Sequence, residues 1–231
     1  MNVSREALRE ALALYAVLPE GLEEGALGGI LEAAIRGGAS FVQLREKNLD
    51  DATYAARAGR LRAVAARHGV PLVVNDSVGA AIGSGADGLH VGQSDCGALE
   101  ARERLPAGAI LGVSVHSVAE ALAAERAGAD YLGVGAVFPT TTKIDARAST
   151  PALLSEICAA VSIPVVAIGG ISLDNASLLS GTGIAGIAVV SALFGTAGGG
   201  FDAARTAGEA RKLRAVADRV RAADPAIGGG T

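Results

Sequence analysis

The chain has 231 residues, half of them hydrophobic and 19% charged, with a net charge of −4 and a pI near 5.4. That balance excludes an intrinsically disordered chain and gives no basic footprint for nucleic acid. With no Trp and only 3% aromatics there is neither a base-stacking platform nor a membrane-interface belt, while 32 Gly and 49 Ala predict an interior of small side chains and close backbone approach.

The first residues, 1–6, carry no basic segment leading into an apolar one, so no secretory signal is expected. From there, short aliphatic runs alternate with longer segments of helical period. The runs at 14–18, 41–44, 72–74, 88–91, 110–113, 131–134, 165–168 and 186–190 are predicted strands. The segments 26–36, 50–68, 78–84, 98–104, 118–127, 151–160, 173–179 and 203–223 are predicted helices. Residues 175–201 hold no charge but seven glycines, and read as a buried strand with Gly-rich loops rather than a membrane span. Cytoplasm is the expected location. Cys96 and Cys158 belong to no CxxC or Cys/His cluster and are expected as buried thiols.

Strands that are apolar at consecutive positions are buried on both faces. Strict βα repetition over this length then predicts a single (β/α)8 TIM barrel across 1–231, with 203–231 forming a C-terminal helix and a flexible Gly-rich tail. A Gly stands just before several strands, as at Gly85 and Gly128, which is the chemistry of a helix end. A doubly wound open sheet would want GxGxxG after its first strand, and Leu18-Pro19-Glu20-Gly21 does not supply it.

In such a barrel the chemistry follows the C-terminal ends of the strands. After the second strand, Gln43, Arg45 and Lys47 occupy alternate positions and converge, a set suited to a polyanion. Asn75-Asp76 follows the third strand and Gln93-Ser94-Asp95 the fourth. Two carboxylates on neighbouring strand ends suit Mg2+, which takes one or two protein carboxylates and completes its shell with water and phosphate. Helix N-capping is the alternative for either Asp. Ser114 ends the fifth strand as a donor. His116 reads as structural in preference to an acid/base, His90 as a satisfied core residue, and His68 as a favourable charge at a helix C-terminus.

Thr140-Thr141-Thr142-Lys143 after the sixth strand combines hydroxyls with a point charge, as a phosphate site needs. The polar run to Ser149 is expected to be a mobile flap. Gly169-Gly170 and Val190-Ser191 end the last two strands, with Ser191 opening a short helix at the usual phosphate position of this fold. The mouth thus holds two phosphate-like regions, one with cations and a metal pair and one with hydroxyls and amides. That asymmetry implies two phosphorylated small-molecule substrates, one a diphosphate carried with Mg2+.

Taken together, QLREK at 43–47, Asn75-Asp76, GLHVGQSD at 88–95, GVS at 112–114, FPTTTK at 138–143, AIGGI at 167–171 and the end of the eighth strand resemble the thiamine-phosphate synthase (thiamine-phosphate pyrophosphorylase) family. The resemblance implies an enzyme that joins a hydroxymethylpyrimidine diphosphate to a thiazole phosphate and releases pyrophosphate. It implies that Gln43, Leu44, Arg45, Glu46, Lys47, Asn75, Ser114 and Lys143 hold the pyrimidine diphosphate, with Arg45, Lys47, Ser114 and Lys143 catalytic. Asp76 and Asp95 would hold Mg2+, and Thr140, Thr141, Thr142, Gly170, Val190 and Ser191 the thiazole phosphate. Departures stand at Val17–Glu20, at Ala136 and at Thr150-Pro151. A paralogous thiazole tautomerase, with His116 as its acid/base, and a non-catalytic thiazole-phosphate-binding regulatory barrel are the alternatives. Neither nucleic acid nor membrane is an expected partner, and a homo-oligomer is compatible with the sequence.

Overall fold

The computed structural model describes residues 4–21, 23–93, 95–140, 149–195 and 202–223. Within them eight parallel strands close into a barrel in sequence order, the first pairing with the last. The strands are β1 (Leu14–Val17), β2 (Phe41–Leu44), β3 (Leu72–Asn75), β4 (Gly88–Val91), β5 (Ile110–Val115), β6 (Tyr131–Val134), β7 (Val165–Ile168) and β8 (Gly186–Val189). The helices are α1 (Arg5–Ala11), α2 (Glu24–Arg36), α3 (Asp51–Ala66), α4 (Val78–Ser84), α5 (Ala98–Arg104), α6 (Val118–Arg126), α7 (Pro151–Ala160), α8 (Ser191–Phe194) and α9 (Ala203–Ala222). The expected (β/α)8 TIM barrel is the observed fold.

Two-residue alternation divides each strand between two cores. Leu14, Val42, Val74, Leu89, Leu132 and Ile187 face the helix layer, while Tyr15, Phe41, Val73, Tyr131, Val166 and Ala188 fill the lumen. Side-chain caps start the helices where the sequence changes period. Ser77 accepts from Ala80 N–H, Ser117 from Glu120 N–H and Asp202 from Ala204 N–H, each worth about 1 kcal/mol. Thr150 caps α7 in the same way and Pro151 follows at its first position, so this departure from the family pattern is a well-formed helix start. Gly85, in the left-handed region at φ 62°, ends α4 just before β4.

Two elements differ from expectation. The segment 173–179 is not an α-helix but a 3-10 turn at Ala176–Leu179. The Asn175 carboxamide accepts from Ser172 N–H at 2.8 Å and donates to Gly170 O at 2.8 Å, taking backbone groups that a longer helix would use. The helix α1 was not predicted. Its Leu8 and the following Leu12 join the lumen cluster and close the lower end of the barrel. Both cysteines are free thiols, half-buried rather than buried. No described helix is long and apolar enough to cross a membrane. The expected Gly-rich tail beyond residue 223 and the expected flap at 141–148 lie outside the described residues.

Candidate active site

The C-terminal end of the lumen opens into a cavity of about 580 Å3. Gln43, Asn75, His90 and Ser114, from four successive strands, form one wall, and Ile168, Gly169, Gly170, Val190 and Ser191 form the opposite one. A second cavity of about 610 Å3 adjoins it and shares Thr140, Gly170, Ile171, Ser191 and Gly195. Arg205 from the first turn of α9 lines this outer space. One mouth therefore has a polar arc, an arc of glycines and apolar groups, and a lateral extension that ends at a cation.

The end of β2 is positioned by what its alternate residues do. Gln43 and Arg45 line the cavity, and the Arg45 guanidinium pairs with the Glu20 carboxylate at its edge. Leu44 points the other way, into the helix-side core. Glu46 also turns out, its side chain 7% exposed and paired at 2.5 Å with Arg57, which reaches Glu24 at 2.9 Å. Lys47 is exposed. Tyr54 of α3 ties this segment to β3: its hydroxyl donates to Leu44 O at 2.7 Å and accepts from Asn75 N–H at 3.2 Å and Glu46 N–H at 3.3 Å. Burial pushes this phenol well above its ordinary pKa, so it keeps the proton it donates.

The two carboxylates proposed for a metal follow adjacent strands, and neither caps a helix. Ser77 is the cap of α4 and Gly97 that of α5. Asp76 has φ 64°, the one non-glycine residue with positive φ among those described, with its N–H on His90 O at 2.8 Å. Such a conformation costs of order 1–3 kcal/mol and persists where surrounding structure imposes it. Asp95 is exposed and accepts from Gly92 N–H at 2.7 Å through one carboxylate oxygen. Oxygen donors of this kind suit a hard divalent cation, which needs only one or two protein carboxylates.

On the far side, Gly170 sits at φ 66°, where a Cβ would lie 2.4 Å from Pro139 O, so only glycine allows the approach of these two loops. Thr140 lines both cavities, whereas Thr141, Thr142 and Lys143 lie outside the described residues. His116 lines the inner cavity with Nδ1 3.0 Å from Gly135 O, so Nδ1 carries a proton there.

Sequence reasoning missed several contributors. Glu20, Asn175 and Arg205 were not singled out: Glu20 and Asn175 act through partners distant in the motif pattern, and Arg205 follows no strand. Tyr15 and Tyr131 looked like ordinary strand positions. His90, read as a satisfied core residue, is held on both ring nitrogens, at 2.9 Å by Tyr131 Oη and at 2.9 Å by Ser114 Oγ.

Known proteins give this arrangement a context. Residues 14–193 match the family model described as thiamine monophosphate synthase. The thiamine-phosphate synthase of Ruminiclostridium cellulolyticum is 48% identical over 163 residues, covering 71% of this chain and 78% of the relative. That of Methanobrevibacter smithii is 44% identical over 182 residues, covering 79% and 87%. Among solved structures, thiamine phosphate pyrophosphorylase from Pyrococcus furiosus superposes with a TM-score of 0.80 at 36% identity, covering 92% of this chain and 98% of that one. The matched span contains the closed barrel and both walls of its mouth, and by that match the chain belongs to the thiamine monophosphate synthase family.

Proposed function

We propose that the chain is an enzyme that joins a hydroxymethylpyrimidine diphosphate to a thiazole phosphate, releasing pyrophosphate. The observation that carries this reading is the two-sided mouth: a polar wall of Gln43, Asn75 and Ser114 faces a wall of Gly169, Gly170, Val190 and Ser191 across one cavity. Two different ligands can meet there with their reacting atoms in between.

On the polar wall, Gln43, Asn75 and Ser114 orient the pyrimidine. Arg45, Lys47 and Lys143 take the diphosphate, Arg45 exchanging the Glu20 carboxylate for phosphate oxygens that fit its bidentate fork. Leu44 and Glu46, whose side chains turn away, serve this site through the backbone between Gln43 and Lys47. On the other wall, Thr140, Gly170, Val190 and Ser191 hold the thiazole phosphate, a role to which Thr141 and Thr142, outside the described residues, also belong. Asp76 and Asp95 fit Mg2+ by donor type and by their places on neighbouring strand ends. Bound there, the ion would offset negative charge on the departing diphosphate.

In the bond-forming sequence the carbon–oxygen bond to the diphosphate breaks first, and its electron pair leaves with the pyrophosphate. The thiazole nitrogen then donates its lone pair to the resulting pyrimidine methyl cation, so no general base is required. Arg45, Lys47, Ser114 and Lys143 stabilise the charge that grows on the leaving group. A cytoplasmic location and small phosphorylated partners accord with this chemistry, and a homo-oligomer is compatible with it.

The test is an assay of thiamine phosphate formation from the two substrates with Mg2+. Product formed only when both are present supports the reading. Isomerisation of the thiazole phosphate alone would replace it with the tautomerase, and binding without turnover would replace it with a regulatory barrel.

A further inference from the structure

The outer cavity has an uncharged wall and one charged end. Thr140, Gly170, Ser191 and Gly195 bring hydroxyls and backbone polar groups to it. Among the described residues that line it, Arg205 alone carries a charge. Arg205 follows no strand, and it stands beyond residue 193, where the match to the family model ends.

Three features hold this cation at the cavity. The helix that carries it is firmly docked: Thr206, Ala210 and Leu213 of α9 are buried, and a Cβ on Gly37 would lie 2.4 Å from Ala210 Cβ, so α9 rests directly against the end of α2. The nearest carboxylate in sequence, Asp202, is engaged as the helix cap, its Oδ1 accepting from Ala204 N–H at 2.8 Å and Arg205 N–H at 3.3 Å. No described carboxylate pairs with the Arg205 guanidinium. Gly195 then receives the charged tip. It has φ 82°, and a Cβ there would lie 3.0 Å from Arg205 Nη1 and 3.5 Å from Nη2. The guanidinium therefore rests against a residue that both cavities share.

A phosphate monoester carries about −1.5 to −2 charges at neutral pH. Thr140, Gly170, Val190 and Ser191 offer it hydrogen-bond donors but no positive charge. A guanidinium supplies both, since it stays protonated and its planar fork matches two phosphate oxygens.

We propose that Arg205 is a further binding residue for the thiazole phosphate, its guanidinium closing the outer side of the phosphate that the ends of β7 and β8 hold from within. The proposal rests on the thiazole phosphate reading of this wall given above. Arg205 lines the outer cavity and not the inner one, so its charge steadies the phosphate and leaves the bond-forming atoms alone. It acts on affinity, not on the chemical step.

The test is a charge series at one position, Arg205→Lys, Arg205→Gln and Arg205→Glu. Arg211→Gln is the matched loss of charge at an exposed position of the same helix outside both cavities. Calorimetry gives the affinity of each protein for thiazole phosphate and for the pyrimidine diphosphate with Mg2+, and initial rates give kcat and KM. Arg205 is exposed, so every variant should keep the wild-type Tm. The Kd for thiazole phosphate should rise about tenfold in Arg205→Gln, the scale of one hydrogen-bonded charge. It should rise further in Arg205→Glu and least in Arg205→Lys, which keeps the charge without the fork. KM for thiazole phosphate should follow Kd, while kcat and pyrimidine diphosphate affinity stay unchanged, and Arg211→Gln should bind as wild type does. Arg205→Gln binding thiazole phosphate as tightly as wild type, losing both ligands equally, or being matched in its loss by Arg211→Gln overturns the proposal. Wild type failing to bind thiazole phosphate overturns the reading of that wall itself.

Discussion

Replacing Tyr54 by Phe removes one oxygen and almost no volume, so the cavity contribution to its cost is negligible. The hydroxyl it deletes serves three backbone groups, Leu44 O at 2.7 Å, Asn75 N–H at 3.2 Å and Glu46 N–H at 3.3 Å. Each buried polar group left without a partner costs about 1–3 kcal/mol. The bond to Leu44 O is short and its residue fully buried, whereas the two accepted bonds are long, so the total should be about 2–3 kcal/mol. At about 2–4 °C per kcal/mol for a chain of this size, Tm should drop by about 4–12 °C in calorimetry. The loss should also be local in its effect on activity. The tied segment carries Gln43 and Arg45, so KM for the pyrimidine diphosphate should rise several-fold in initial-rate assays while that for the thiazole phosphate stays put. A Tm within experimental error of wild type, or equal loss of affinity for both substrates, would refute this account of what holds the end of β2.

Asp95→Asn keeps an acceptor for Gly92 N–H but loses the charge. The Mg2+ concentration giving half-maximal thiamine phosphate formation should rise about tenfold, about 1.4 kcal/mol, with thiazole phosphate binding by calorimetry unchanged; an unaltered Mg2+ titration would remove the metal assignment. Gly186→Ala would place a Cβ 2.0 Å from Leu12 O and 2.5 Å from Ala13 O, both backbone, so the variant should yield little soluble protein; normal expression and Tm would contradict that packing. Glu125 accepts from the Ser162 hydroxyl and N–H, which hold its carboxyl below the ordinary 4.5. A depressed folded pKa gives stability that is complete above 4.5 and disappears as pH falls through the lower folded value. Glu125→Gln should therefore flatten the acid limb of the Tm–pH curve, and an unchanged slope would count against the contact.

The barrel was legible because burial on both faces forces short, continuously apolar strands, and because polar residues cluster just after them. All eight strands lie within two residues of expectation at either end. What escaped was set by contacts remote in sequence. Nothing local marks Leu8 and Leu12 of the N-terminal segment as lumen residues until the barrel floor exists to receive them. Asn175 stops a helix that periodicity favours, because its carboxamide engages Ser172 and Gly170 instead. At the site, alternation brings Gln43 and Arg45 to the cavity and turns Leu44 and Glu46 away from it. The hydrogen-bonded set of Tyr15, Tyr131 and His90 was invisible for a different reason. Each member is one residue in an apolar strand, and their sum appears only after closure brings β1, β4 and β6 around one axis.

The plug that α1 makes at the base of the barrel also governs traffic. With Leu8 and Leu12 seated below Tyr15 and Phe41, the lumen is a blind well. Everything that enters or leaves does so past the same rim. Whichever ligand rests on the layer of Gln43 and Ser114 is deepest, and one held near Arg205 lies in the lateral extension of the same mouth. If the lateral ligand lies across the way out of this well, turnover has a queue: the deeper substrate should arrive before the shallower one, and the coupled product should clear the rim before the next cycle begins. Product-inhibition patterns would record that order directly, with the product competing against the first substrate to bind and not against the second.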